Sequence, residues 1–400
     1  MMGEMGSGKD KDTLEFGGGG QRPRRVWLLG GAAAVAVVII GVVVWQQTGS
    51  SGQPSTGKES GSTATPQTSS APSPTGVSPS TPKQQVQVSS TDLSWLHASS
   101  GYDIFAYARS DSHMFRIEVG AGETTRTTVP RLSSGGPVSF VVRRGMALVH
   151  PLDGVADYRV PDGKRARADD ALSDGGKILP GPQSGELWVE KGATQETRFT
   201  LVHLDGSPTD RSVLIPPALG WVTTSADGTG GLLVSGKGGA YVSSGKVFHR
   251  VTGGEVVATG PKTWVLVECN DKAKCHSVVY DRSDGDKRAL HASRLAPSKV
   301  VFGKTSPDGR TAALVVGPET EEGVPLALVD LQTGQTQSTS VRVRRGAPSQ
   351  ASARMAWSPD SRWLFVAASD GWVKVVNAAT GKVRPLVVGA SSIQQIAVRE

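Results

Sequence analysis

Seven histidines (His97, His113, His150, His203, His249, His276 and His291) and two cysteines (Cys269 and Cys275) are the side chains of this 400-residue chain best suited to metal or nucleophilic chemistry. The histidines are scattered, with no two close enough to act as paired ligands. Neither a Gly-x-Ser-x-Gly elbow nor a His-Glu-x-x-His run occurs. Gly3-Glu4-Met5-Gly6-Ser7-Gly8-Lys9-Asp10 nearly spells a phosphate-binding loop. Asp10, however, stands where Ser or Thr should hold magnesium, and the flanking sequence is polar tail rather than strand and helix. Gly303-Lys304-Thr305 lacks the upstream glycine and runs straight into a turn. No catalytic, cofactor-binding or metal-ligating residue is assigned, and no cofactor is expected.

The cysteines have a clearer use. Cys269 ends one apolar strand-like run (Trp264 to Val267) and Cys275 opens the next (Val278 to Tyr280), with five polar or small residues between them. They would face each other across a hairpin. A disulfide closing so short a loop stabilises by roughly 2 kcal/mol in the chain-entropy model, and implies an oxidising compartment. The alternative, a redox or metal pair, lacks further ligands.

Carboxylates recur in one setting. Ser306-Pro307-Asp308-Gly309 and Ser358-Pro359-Asp360-Ser361 each precede an apolar run, Thr311 to Val316 and Trp363 to Ala368. Ser225-Ala226-Asp227-Gly228 reads as a weaker copy before Leu232-Leu233-Val234. Pro presets φ, Asp accepts local backbone hydrogen bonds and Gly supplies the open φ at the exit. These residues therefore read as turns repeated by architecture.

The elements around these turns must be strands. Breaks fall near Ser99, Arg144, Ser184, Ser225, Pro261, Ser306 and Ser358, close to the period of about 40 residues at which four-stranded blades repeat. In the last unit, Arg354 to Trp357, Trp363 to Ala368, Trp372 to Asn377 and Lys382 to Val388 read as four strands, with turns at Asp370-Gly371 and Thr380-Gly381. The sixth unit (Leu326 to Leu331, Gln335 to Val343) and the first (Asp103 to Ala108, Met114 to Val119, Glu123 to Val129) repeat the pattern. The fold class is all-β. The spacing predicts a β-propeller of seven four-stranded blades over 89–400, with six or eight as alternatives. Leu93 to Leu96 and Ile393 to Val398 compete for the inner strand of the first unit.

The Ser-Pro-Asp-Gly-Arg and Ser-Pro-Asp-Ser-Arg turns and the Thr-Gly-Lys/Gln exits resemble those of TolB-like and WD-repeat β-propellers. The Gly-His and Trp-Asp signatures of WD repeats are missing, so the TolB-like style is the better match. Enzymes of this fold place carboxylates from different blades around the central channel, so the resemblance leaves an Asp/Glu site there open.

The N-terminus sets location. Arg22, Arg24 and Arg25 precede Val26 to Trp45, twenty residues without a charge, enough for a helix of roughly 30 Å across a bilayer. Trp27 and Trp45 sit at the interfaces, and the charge asymmetry puts residues 1–25 in the cytoplasm and the rest outside. A cleaved signal peptide is the competing reading; its apolar region would be shorter and end in a better cleavage site. Residues 46–88, rich in Ser, Thr, Pro and Gly, read as a disordered stalk with a reach of roughly 35–40 Å. The whole is similar to single-pass anchored propeller proteins of actinobacterial type.

A net charge of +7 invites a nucleic-acid partner, but dispersal of the charge and an extracytoplasmic position exclude it. Lys164-Arg165-Ala166-Arg167 and Arg342-Val343-Arg344-Arg345 are placed on outer edge strands, where charge deters edge pairing or meets anionic envelope surfaces. The tryptophans are expected to pack between blades. The leading expectation is a binding or scaffolding module for an envelope protein, peptide or polymer. The alternative is a hydrolase or lyase using channel carboxylates.

Overall fold

A computed structural model describes Thr13–Leu14 and residues 86–399 apart from several short connecting segments. The expected anchor at 26–45, the expected stalk as far as residue 85 and the first landmark, Ser99, lie outside the described residues. Among the described residues no helix is long and apolar enough to cross a membrane.

The described strands form antiparallel meanders of four strands each. The second meander runs Val138–Arg143, Met146–Pro151, Ala156–Pro161 and Arg167–Asp170. The third runs Ile178–Pro180, Glu186–Lys191, Arg198–His203 and Pro208–Leu214, and the fourth Thr223–Ala226, Leu232–Gly236, Gly239–Ser244 and Val247–Thr252. The fifth (Glu255–Thr259, Thr263–Cys269, Cys275–Asp281, Lys287–Leu290) and sixth (Val300–Thr305, Thr311–Val316, Val324–Asp330, Thr336–Val343) fuse into one eight-stranded sheet. Parallel pairing of Ala258 with Gly303 and of Thr259 with Lys304 makes that join. The seventh runs Met355–Trp357, Trp363–Ala367, Val373–Asn377 and Val383–Leu386.

The first meander draws on both ends of the chain. Asp103–Ala108, His113–Glu118 and Glu123–Thr128 follow in order, and Ile393–Arg399 pairs with the first of these as the inner strand. Val86–Ser90 adds to the outer edge. The competition for the inner strand is thus resolved for the C-terminus; Ser94–Leu96 is a single 3₁₀ turn with Leu96 buried. Val86 to Val88, expected to belong to the stalk, instead pair with Thr125 to Thr127 on an otherwise open edge. On the fourth meander, Thr13–Leu14 pairs with Phe248–His249 of the outer strand.

Strands buried on both faces explain the apolar runs. Because side chains alternate at period two, Ala312 and Leu314 join a cluster with the fifth meander, while Ala313 and Val315 pack on the seventh. One such cluster lies between each pair of consecutive meanders. The cycle closes where Phe365, Val373 and Leu386 of the seventh meet Ile104, Phe115 and Ile396 of the first. This is a β-propeller, with inner strands around a central channel.

Three buried tryptophans and the half-buried Trp363 tie neighbouring elements together. Trp188 Nε1 donates to the Gly230 carbonyl at 2.6 Å, Trp264 Nε1 to Asp227 at 3.1 Å, Trp357 Nε1 to Lys304 at 3.2 Å and Trp363 Nε1 to Leu96 at 2.8 Å. The first three satisfy their one donor on the adjacent meander, and Trp363 does so on the 3₁₀ turn ahead of the first.

Candidate functional site: the central channel

Five of the seven expected landmarks, Arg144, Ser184, Pro261, Ser306 and Ser358, mark the step from inner to second strand. In the sixth meander Ser306 N–H donates to Thr311 O (2.8 Å) and Gly309 N–H to Ser306 O (2.9 Å). Ser306 Oγ donates to Asp308 Oδ1 at 2.6 Å and accepts from Thr311 N at 3.0 Å. Ser358 and Asp360 repeat the set at 2.6 and 2.9 Å. Gly309 has φ 77° and Ser361, its counterpart, φ 62°. The two turns touch, Asp308 N–H donating to Ser361 Oγ at 3.0 Å. Pro307 reaches the channel wall, and Pro359 occupies the matching place in its own turn.

The copy at 225–228 is in a different register. Ser225 lies within the strand, paired with Leu233, and Asp227 occupies the position of Ser306, its N–H donating to Gly231 O. The physical reason is that a carboxylate replaces the serine hydroxyl: Asp227 Oδ1 accepts from both Thr229 N and Gly231 N at 2.8 Å. Asp227 is 3% exposed, and Arg282 Nη2 donates to its Oδ2 at 2.6 Å while stacking on Trp264. Gly228, at φ 95°, packs against the Gly260 backbone where a Cβ would stand 2.8 Å away. Asp227, Asp308 and Asp360 are therefore structural and do not converge on one point.

The cysteines lie at the other end of the fifth meander. Cys269 and Cys275 pair across the hairpin and are disulfide-bonded, with Asn270 Oδ1 accepting from Lys272 N and Lys274 N at 3.0 Å to fix the loop. Thiol labelling under denaturing, non-reducing conditions is expected to find no free cysteine, and reduction to cost roughly 2 kcal/mol.

One buried pair escaped the sequence reading. His150 and Asp157, each 0% exposed, face each other through Nδ1 and Oδ1. His150 Nε2 lies 2.8 Å from Gly176 O, and Asp157 Oδ2 accepts from Leu172 N at 2.8 Å. With every partner supplied from within, the pair locks the second meander to the approach of the third. Its only sequence signal was the hairpin that places both residues on adjacent strands. Of the basic clusters, only Arg167 and Arg342-Val343 lie within outer strands. Arg342 Nη1 donates to Gly323 O (3.2 Å) and Arg344 Nε to Ser369 O (3.1 Å), so the second cluster joins the sixth and seventh meanders.

The channel is the concavity to which all inner strands contribute. It encloses about 630 Å³, within the range of small-molecule sites. Its wall combines apolar residues such as Ile178, Trp357 and Ile396 with Ser139, Thr259 and Gln183. The charged groups on it are Arg143, Lys177 and Lys304, and no carboxylate joins them among the described residues. Arg143 is committed: Nη2 donates to Gly181 O at 2.9 Å and Nε to Glu186 O at 3.3 Å. Burial lowers its guanidinium to about 10, a shift that nearby Glu186 opposes. Burial likewise pushes the Lys304 amine down to about 8.

No protein-family model and no curated relative matches the sequence. Solved structures with similar folds include TolB from Acinetobacter baumannii (16% identity, 76% of this chain and 84% of that one, TM-score 0.39). Apo AztD from Citrobacter koseri aligns at 13% identity over 75% of this chain and 98% of its own, TM-score 0.40. The periplasmic gluconolactonase PpgL of Pseudomonas aeruginosa aligns at 17% identity over 75% and 99%, TM-score 0.45. The likeness is too distant to carry function to this chain, and none of these proteins bears on the N-terminal span or an actinobacterial origin. The β-propeller class rests on the sheets and the channel described above.

Proposed function

We propose that this chain is a membrane-tethered, seven-bladed extracytoplasmic propeller that acts as a binding or scaffolding module at the cell envelope. The observation that carries the binding reading is the channel wall: its charges are cationic, and the carboxylates that a hydrolase or lyase of the alternative kind would need are not among its described residues. The turn carboxylates are spent on backbone N–H groups and arginine. Support for seven blades comes from taking each meander as one blade, the fused fifth and sixth as two.

Support for the tether is the uncharged run Val26 to Trp45 behind three arginines. The pairing of Thr13–Leu14 with the fourth meander is the opposing observation, since it keeps those residues on the propeller's side of a bilayer, and protease access separates the two arrangements. Protease added to intact cells should release the propeller by cutting between residues 46 and 85. Full protection of the propeller would refute the topology. Cross-linking on intact cells followed by mass spectrometry would identify the partner; finding no specific partner alongside measurable hydrolytic turnover would refute the binding reading.

A further inference from the structure

Lys304 occupies the inner strand of the sixth meander at the point where it pairs in parallel with Thr259 of the fifth. Trp357 Nε1 closes on its carbonyl from the seventh. Three meanders thus fix its backbone while its side chain lines the channel. Its ammonium has no carboxylate or hydrogen-bond partner among the described residues. Lys177, entering the third inner strand, lines the same channel; its backbone N–H donates to Glu190 Oε2 at 2.9 Å, and its ammonium forms no ion pair among the described residues. Lys304 is half-buried, and an ammonium partly withdrawn from water without a counter-charge is unfavourable, which is the origin of the lowered Lys304 amine. A basic side chain on the outer surface would carry no such penalty.

We infer that the channel binds a small anionic molecule, a carboxylate or phosphate monoester, with Lys304 and Lys177 as its cationic contacts. The volume of about 630 Å³ suits a metabolite-sized ligand rather than a protein segment. The apolar part of the wall lowers the local dielectric and strengthens the attraction between ligand and lysine. Arg143, held by two backbone carbonyls, adds to the positive field without being free to grip the ligand. The proposal rests on the binding reading above and names the ligand class for its channel.

Calorimetry on the full-length chain in detergent, with citrate, glycerol 3-phosphate, inorganic phosphate and glycerol as probes, tests this. Citrate or a phosphate is expected to bind and glycerol not to, with preference between the two anion types telling carboxylate from phosphate ligands. Lys304→Met should weaken binding at least roughly tenfold, and Lys177→Met should weaken it by a smaller factor. Raising the pH through about 8 removes the Lys304 proton, so anion affinity should fall in the wild type and stay flat in Lys304→Met. The unliganded Lys304→Met chain should also melt above the wild type, because it no longer holds an unpaired desolvated cation; a lysine with a purely structural role would give a lower melt. If Lys304→Met does not fold, Lys304→Gln takes its place. No binding of any anion to folded protein, or unchanged affinity in the lysine variants, overturns the inference. Should anions fail to bind while an envelope partner still cross-links, the binding reading stands and only the ligand class falls.

Discussion

Deleting the last strand, Ile393 to Arg399, should abolish cooperative folding rather than trim a terminus. This strand is the inner partner of Asp103–Ala108, every residue of which is buried. Ile393 and Ile396 are 2% and 1% exposed and sit in the cluster that joins the seventh meander to the first. Burying each is worth about 1.5–3 kcal/mol, and each ladder hydrogen bond about 0.5–1.5 kcal/mol. Gln395 Nε2 donates to Val138 O at 2.9 Å, and Arg399 grips Asp162 (2.7 and 2.9 Å) and Asp103 while lying over Phe105. The sum matches or exceeds the ~5–15 kcal/mol that stabilises a typical domain. Circular dichroism of a chain ending at Ser391 should show no cooperative melt; a two-state transition within a few degrees of wild type would refute closure by this strand. Arg399→Ala is the milder form, expected to cost about 3 kcal/mol by leaving Asp103 and Asp162 short of a partner.

Asp227→Ala should destabilise by about 3–5 kcal/mol, far more than Asp308→Ala at about 1 kcal/mol. Asp227 accepts from two backbone N–H groups and Arg282 in a site 3% exposed. Its loss orphans both N–H groups and a guanidinium held over Trp264. Asp308 is exposed and accepts from Ser306 Oγ and Arg310 N, which water can replace. Denaturant titration of the two variants measures the difference. Equal costs would mean that Asp227 is a turn residue of the Asp308 kind after all.

That contrast marks how far the chain could be read. The all-β class, the hairpins and most strands of the sixth and seventh units were legible because period-two apolar runs and Asp-Gly or Thr-Gly turns are local signals. The cysteine staple was legible for the same reason, since both residues flank one hairpin. The register at Asp227 was not: spacing alone aligns Ser225 with Ser306, and only the pairing of Ala226 with Leu232 shows that a carboxylate has taken the serine's place two residues on. The Lys304 setting was hidden more deeply. In sequence, Gly303-Lys304-Thr305 looked like a failed phosphate loop.

By itself, then, the sequence determined the class of fold, the repeat, the turn chemistry and the uncharged run Val26 to Trp45, all properties of residues within one hairpin or one helix length. Tertiary structure decided which terminus closes the ring, that the recurrent aspartates point into backbone rather than toward one another, and that lysines distant in sequence share one channel free of described carboxylates. These depend on residues brought together from opposite ends of the chain. No local propensity encodes that convergence; the burial of seven interleaved apolar faces does.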